Sequence, residues 1–158
     1  MDVHLISTTD AWAQIAIAGP KSRKIISKIV DKQFDVSNKN FPFMACKEIT
    51  ICGGVLARLF RISFSGELAY ELSIPTQYAS SLVSYLMEIG KDENIIPYGT
   101  EALGVMRIEK GHAAGAELNG TISAQNLNMG KMVSNKKDSI GMVLSCLLYT
   151  SPSPRDSL

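Results

Sequence analysis

Apolar positions recur along this chain at two spacings, and the switches between them mark the elements. Residues 12–19 set Ile15 and Ile17 two apart, the period of a strand, and a glycine closes the run. Pro20 suits the first turn of a helix, where its missing N–H costs nothing. Ile25, Ile26, Ile29 and Val30 follow at helical spacing, with Lys21, Arg23, Lys24 and Lys28 over the remaining surface. Residues 31–45 are polar and turn-rich and read as a loop. A strand over 47–52 alternates Ile49 and Ile51, Gly53-Gly54 forms a two-residue turn, and a second strand runs over 55–64. Ser65-Gly66-Glu67 is a tight turn before a third strand over 69–74. Pro75 opens a helix with Tyr78, Leu82, Tyr85, Leu86 and Ile89 on one stripe, ending at Gly90. A last helix covers 100–110, with Thr100 as cap and Gly111 as stop.

The order β-α-β-β-β-α-α predicts an α+β domain, a mostly antiparallel sheet with helices packed on one face. Residues 113–141 carry little periodicity and read as a connecting arm that settles on a partner structure. The expected organisation is therefore a central domain over 1–112, an arm over 113–141, and a tail of different character over 146–158. In that tail the stretch from Cys146 to Asp156 (CLLYTSPSPRD) looks like a translation of the adapter DNA used in transposase-based sequencing libraries. A segment of that origin is non-native and carries no information about the fold.

Composition narrows the class without naming a function. The chain has 158 residues, 46% hydrophobic and 20% charged, which suits a soluble globular protein with material for one core. The net charge of +1 gives no general attraction to nucleic acid or to an anionic membrane. No apolar run approaches the roughly 20 residues of a membrane span, and the first residues have no signal-peptide pattern. Cys46, Cys52 and Cys146 form no CxxC, so neither a zinc site nor a disulfide framework is expected. Cys46 and Cys52 read as small core residues, in a reducing, cytoplasmic setting.

No phosphate-cradling glycine loop, GxSxG elbow or HExxH is present, so no catalytic and no metal residue is assigned. His4 and His112 do not suggest a metal pair, and His112 reads as a helix-end histidine. Glu101 sits where a carboxylate favours a helix N-terminus. Glu67, at a turn, reads as solvated. Glu71 differs, because it interrupts an apolar strand where an unpaired carboxylate is costly to bury. If Tyr70, Leu72 and Ile74 face the core, Glu71 faces the open side of the sheet. There it can accept two hydrogen bonds from adjacent N–H donors such as those of a pterin. The bland alternative is a solvent-facing residue paired with Lys or Arg.

Three stretches carry a resemblance: Ile17-Ala-Gly-Pro-Lys-Ser-Arg23, Arg61 to Leu72 around Ser65-Gly66-Glu67, and Met106-Arg-Ile-Glu-Lys-Gly111. They resemble the aminomethyltransferase family, the folate-binding proteins typified by the glycine cleavage T-protein. The wording of residues 8–20, 64–72 and 107–112, with Gly130-Lys131 and 135–138, is similar to the branch found in alpha subunits of heterotetrameric sarcosine oxidases.

That resemblance implies the chemistry. Flavin oxidises the N-methyl group of sarcosine to an imine, and the folate domain transfers the one-carbon unit to tetrahydrofolate as 5,10-methylenetetrahydrofolate. The glutamate aligned with Glu71 binds the pterin, and Tyr70 and Glu67 beside it are assigned to the same folate site. FAD, FMN and NAD, and the beta, gamma and delta subunits, belong to the full heterotetramer and lie outside this chain, which alone is expected to be inactive. Two departures stand out: the family's folate-adjacent aspartate lies in an earlier segment absent here, and a T-protein arginine aligns with Leu103. The competing readings are a stand-alone T-protein, a dimethylglycine oxidase type, and a non-enzymatic folate module of iron–sulfur assembly. The last carries Lys-Gly-Cys-Tyr where this chain has Lys110-Gly-His-Ala113.

Overall fold

The computed structural model describes residues 2–134, 136–138 and 140–142. The tail assigned to adapter DNA lies outside the described residues. Those described fall into two compact units, one ending at His112 and one beginning at Ala113.

The first unit is built on a four-stranded sheet. Its strands are β1 (Trp12–Ala18), β2 (Cys46–Ile51), β3 (Val55–Phe60) and β4 (Ala69–Pro75), in the spatial order β1-β4-β3-β2. Every pairing is antiparallel. Directly paired residues point to the same side, so the register divides the sheet into two faces. Ile17, Tyr70, Leu72, Ile74, Leu59, Ala57, Ile49 and Ile51 form one face and are all buried. Helices α1 (Ser22–Ile29) and α2 (Ala79–Ile89) cover that face through Ile25, Ile26, Ile29, Leu82 and Leu86. Each such side chain removed from water contributes about 1.5–3 kcal/mol. The expected α+β class, an antiparallel sheet with helices on one face, is the observed one.

Sequence expectation and structure differ at three boundaries, each for a local reason. The strand expected over 55–64 ends at Phe60, because β3 pairs with β4 only from Arg58 to Phe60. Arg61 still donates its N–H to the Ala45 carbonyl at 2.8 Å, but the Ala45 N–H goes to the Pro42 carbonyl and Met44 donates to Arg61 in its place, so the regular ladder ends there. The β2–β3 connection has three residues, since Ile51 pairs with Val55. Cys52 joins Gly53 and Gly54 in it, with φ values of 51, 82 and 120°. Asp31 Oδ1 accepts the Gly53 N–H at 2.8 Å and holds the turn. Finally, Pro75 closes β4 instead of opening the helix. It sits at a strand end, where no ladder hydrogen bond is lost, and a 3-10 turn over Thr76–Tyr78 leads into α2.

The cysteines correct a second expectation. Cys46 and Cys52 are both exposed rather than in the core, the first on the uncovered side at the start of β2 and the second in the turn. Helix α3 (Thr100–Glu109) follows and buries no residue fully. In the second unit the described residues form turns and one short 3-10 helix, Gly130–Met132.

Candidate functional site

The face of the sheet opposite the helices carries a short set of side chains that no described helix covers. One row across the four strands reads Gln14, Ser73, Arg58, Glu48, and the next reads Ala16, Glu71, Phe60, Cys46. Glu71 is thus central, on β4 between β1 and β3. Strand alternation places it there: Tyr70, Leu72 and Ile74 take the core positions, so Glu71 and Ser73 must point the other way.

Charge on this face is already partitioned. Arg58 donates through Nε to Glu48 Oε1 at 3.2 Å, and its guanidinium lies 4.3 Å from the centre of the Trp12 ring. Glu71 pairs with neither of them. Its partner is Gln14, whose Nε2 donates to Glu71 Oε2 across the β1–β4 ladder. Gln14 and Glu71 are not directly opposite but diagonal, since Gln14 opposes Ser73 and Glu71 opposes Ala16. No ion pair joins Glu71 among the described residues. The carboxylate therefore keeps unused acceptor capacity in a half-buried setting, which is what a ligand with adjacent N–H donors requires.

The other residues expected at the site lie elsewhere. Tyr70 is 0% exposed on the core face, its ring 6.3 Å from that of Phe41 and 6.0 Å below the Arg23 guanidinium. Its hydroxyl has no hydrogen-bond partner among the described residues. Burial pushes the phenol up, partly opposed by the Arg23 and Arg61 guanidiniums. Glu67 sits at the turn, where Gly66 adopts φ +81°, with Lys110 Nζ 3.6 Å from its Oε1. Glu67, Tyr70 and Glu71 thus occupy three separate surroundings.

Glu71 itself lines neither of two cavities of the first unit, although Ala16, directly opposite it, and Glu67 line the larger. One of about 420 Å³ is lined by Ile51, Val55, Tyr78 and Tyr85 among others. The larger, of about 850 Å³, lies between β1 and the helices and includes Leu103 and Met106 of α3. Leu103 gives that cavity an apolar wall. His112 closes the end of α3 with Nδ1 2.9 Å from the Phe64 carbonyl, an anchoring role. No group of three or more metal-binding side chains occurs among the described residues. None of the described helices is long and apolar enough to cross a membrane.

Gln14, Trp12 and Arg58 did not stand out in the sequence. Their alternation on β1 and β3 was visible, but the pairing of β1 with β4 joins residues 57 apart and leaves no local trace.

Comparison with known proteins gives the frame for this site. The family model described as GCVT N-terminal domain matches residues 1–137. The chain is 56% identical over 146 residues to "Sarcosine oxidase subunit alpha" of Rhizobium meliloti (strain 1021), covering 91% of this chain and 15% of that protein. It is 42% identical over 142 residues to the protein of the same name from Corynebacterium sp. (strain P-1), covering 89% and 15%. It is 33% identical over 119 residues to "Dimethylglycine dehydrogenase, mitochondrial" of Mus musculus, covering 75% and 13%. The chain thus spans about 15% of the length of the alpha subunits it matches.

Proposed function

This chain belongs to the GCVT N-terminal domain family, and from that premise we propose that it is part of a sarcosine oxidase alpha subunit whose folate domain passes the one-carbon unit of oxidised sarcosine to tetrahydrofolate. The product is 5,10-methylenetetrahydrofolate. Similarity to the alpha subunits over 91% of the chain supports the parentage. The observation that carries the folate reading is Glu71, an uncovered carboxylate on a sheet face, without an ion-pair partner among the described residues.

Bound tetrahydrofolate supplies the nucleophilic nitrogens that take up the one-carbon unit. The chain's own contribution is placement. Glu71 accepts N–H bonds from the 2-amino and N3 positions of the pterin, a charge-assisted pair that fixes the ring in the plane of the carboxylate. Tyr70 and the core beneath it hold β4 in register, so the acceptor oxygens keep their direction. Glu67 stays at the rim with Lys110. The iminium-generating machinery, with its FAD, FMN and NAD, belongs to other segments and to the beta, gamma and delta subunits of a cytoplasmic heterotetramer. The chain alone therefore has no oxidase activity and binds folate weakly.

Calorimetric titration of the chain with tetrahydrofolate, with Glu71→Gln as control, tests this. Loss of one charged acceptor of two N–H donors weakens binding at least tenfold; unchanged binding removes the assignment.

A further inference from the structure

The Glu71 carboxylate is not the whole of the hydrogen-bonding edge on the open face. An ionised carboxylate only accepts, so the Gln14 amide must turn its NH₂ toward Glu71, as it does. That NH₂ has a second N–H, which has no partner among the described residues. Glu71 Oε1 likewise has none. Side by side, the pair presents acceptor (Oε1), acceptor (Oε2) and donor (the second Gln14 N–H). Gln14 is exposed, so this edge is open to a ligand.

We infer that Gln14 is a specificity-determining residue of the folate site, reading the 4-oxo group of the pterin. This rests on the folate reading of Glu71. The 2-amino-4-oxopyrimidine edge presents donor (2-amino), donor (N3–H) and acceptor (O4), the complement of the Glu71–Gln14 pair taken in order. A 4-amino pterin presents donor, acceptor, donor. Its N3 lone pair then faces a carboxylate oxygen and its 4-amino group faces the Gln14 N–H. Two of three positions are mismatched, and polar groups forced together without partners discriminate more sharply than a missing methylene does. A second role follows from the same bond: Gln14 holds the carboxylate in one rotamer and so lowers the ordering cost of binding.

The test uses the single tryptophan of the chain, Trp12, which lies on the same face and reports ligand by fluorescence quenching. The probes are folic acid and its 4-amino analogue, aminopterin. They are titrated against the chain, Gln14→Met and Glu71→Gln, with circular dichroism as the folding control. Met has nearly the length of Gln but no donor. We expect the unsubstituted chain to favour folic acid, and Gln14→Met to lower that preference roughly tenfold by weakening folic acid and relieving aminopterin. Equal weakening of both probes in Gln14→Met, or an unchanged preference, overturns the specificity role and leaves the folate reading standing. Folic acid binding that survives Glu71→Gln unchanged overturns the folate reading itself, and with it the role of Gln14, as does an unsubstituted chain that binds neither probe.

Discussion

Gln14 and Glu71 stand on neighbouring antiparallel strands, diagonal to one another by two residues, and the amide of the first donates to the carboxylate of the second. The bond spans the β1–β4 ladder on the side opposite the helices. It gives the carboxylate a fixed direction without neutralising it, a state that an adjacent arginine would remove. Arg58, the nearest candidate on that face, is occupied by Glu48 and by the ring of Trp12.

Arg58→Ala reports on that partition. Removing the guanidinium 4.3 Å from the Trp12 ring takes away a cation–π contact of about 0.5–1 kcal/mol at an exposed site. Thermal unfolding is expected to fall by a small amount, and the emission maximum of Trp12 to shift. Folate affinity stays the same, because Arg58 makes no contact with Glu71. A tenfold change in affinity would place Arg58 in the site.

Tyr70→Phe separates the core tyrosine from the ligand. The phenol hydroxyl is buried without a hydrogen-bond partner among the described residues, and such a group costs about 1–3 kcal/mol. Its removal, at unchanged ring volume, is expected to raise the denaturant midpoint and leave folate binding unaltered. A lower midpoint would mean that the hydroxyl is satisfied within the fold.

Acid sensitivity should be traceable to named carboxylates. Hydrogen bonding and charge from Lys24, with Lys21 adding to it, hold Glu93 below its ordinary value of 4.5. Hydrogen bonds from Thr50 and Gly53 do the same for Asp31, whose ordinary value is 3.8. A depressed carboxylate contributes stability that is complete above its unfolded value and is lost as pH falls through its folded one. Urea midpoints should therefore be level near neutrality and decline below about pH 4.5. Glu93→Gln is expected to lower the neutral-pH midpoint and flatten that decline. An unchanged slope would mean that Glu93 pairs no better folded than unfolded.

Much of the fold could be read along the chain because it is locally encoded. Ile25, Ile26 and Ile29 specify α1 by spacing alone, and the alternation around Tyr70, Leu72 and Ile74 places Glu71 on the uncovered face. What could not be read depends on contacts distant in sequence. Apolar alternation continues through Phe64, yet the strand stops at Phe60 because Ala45, next in register, gives its N–H to Pro42 and not to Arg61. Cys52 looks like a strand residue and instead adopts φ 51° in a turn tethered by Asp31. Gln14 is one polar residue in an edge strand until β4 is laid beside it. Adjacency in sequence also separates Tyr70 from Glu71: neighbours on a strand point to opposite faces, so Tyr70 is buried in the core while Glu71 is on the uncovered side.

The central claim is that folate sits on the open face of the sheet, on Glu71. Two-dimensional nuclear magnetic resonance of the ¹⁵N-labelled chain, with tetrahydrofolate added stepwise, addresses it most directly. Shifts are predicted at the Gln14 side-chain amide, the Trp12 indole and the backbone of Glu71 and Ser73, and they should vanish in Glu71→Gln. Shifts confined to Tyr98, Leu103 and Met106, which line the cavity of about 850 Å³ behind β1, would contradict it.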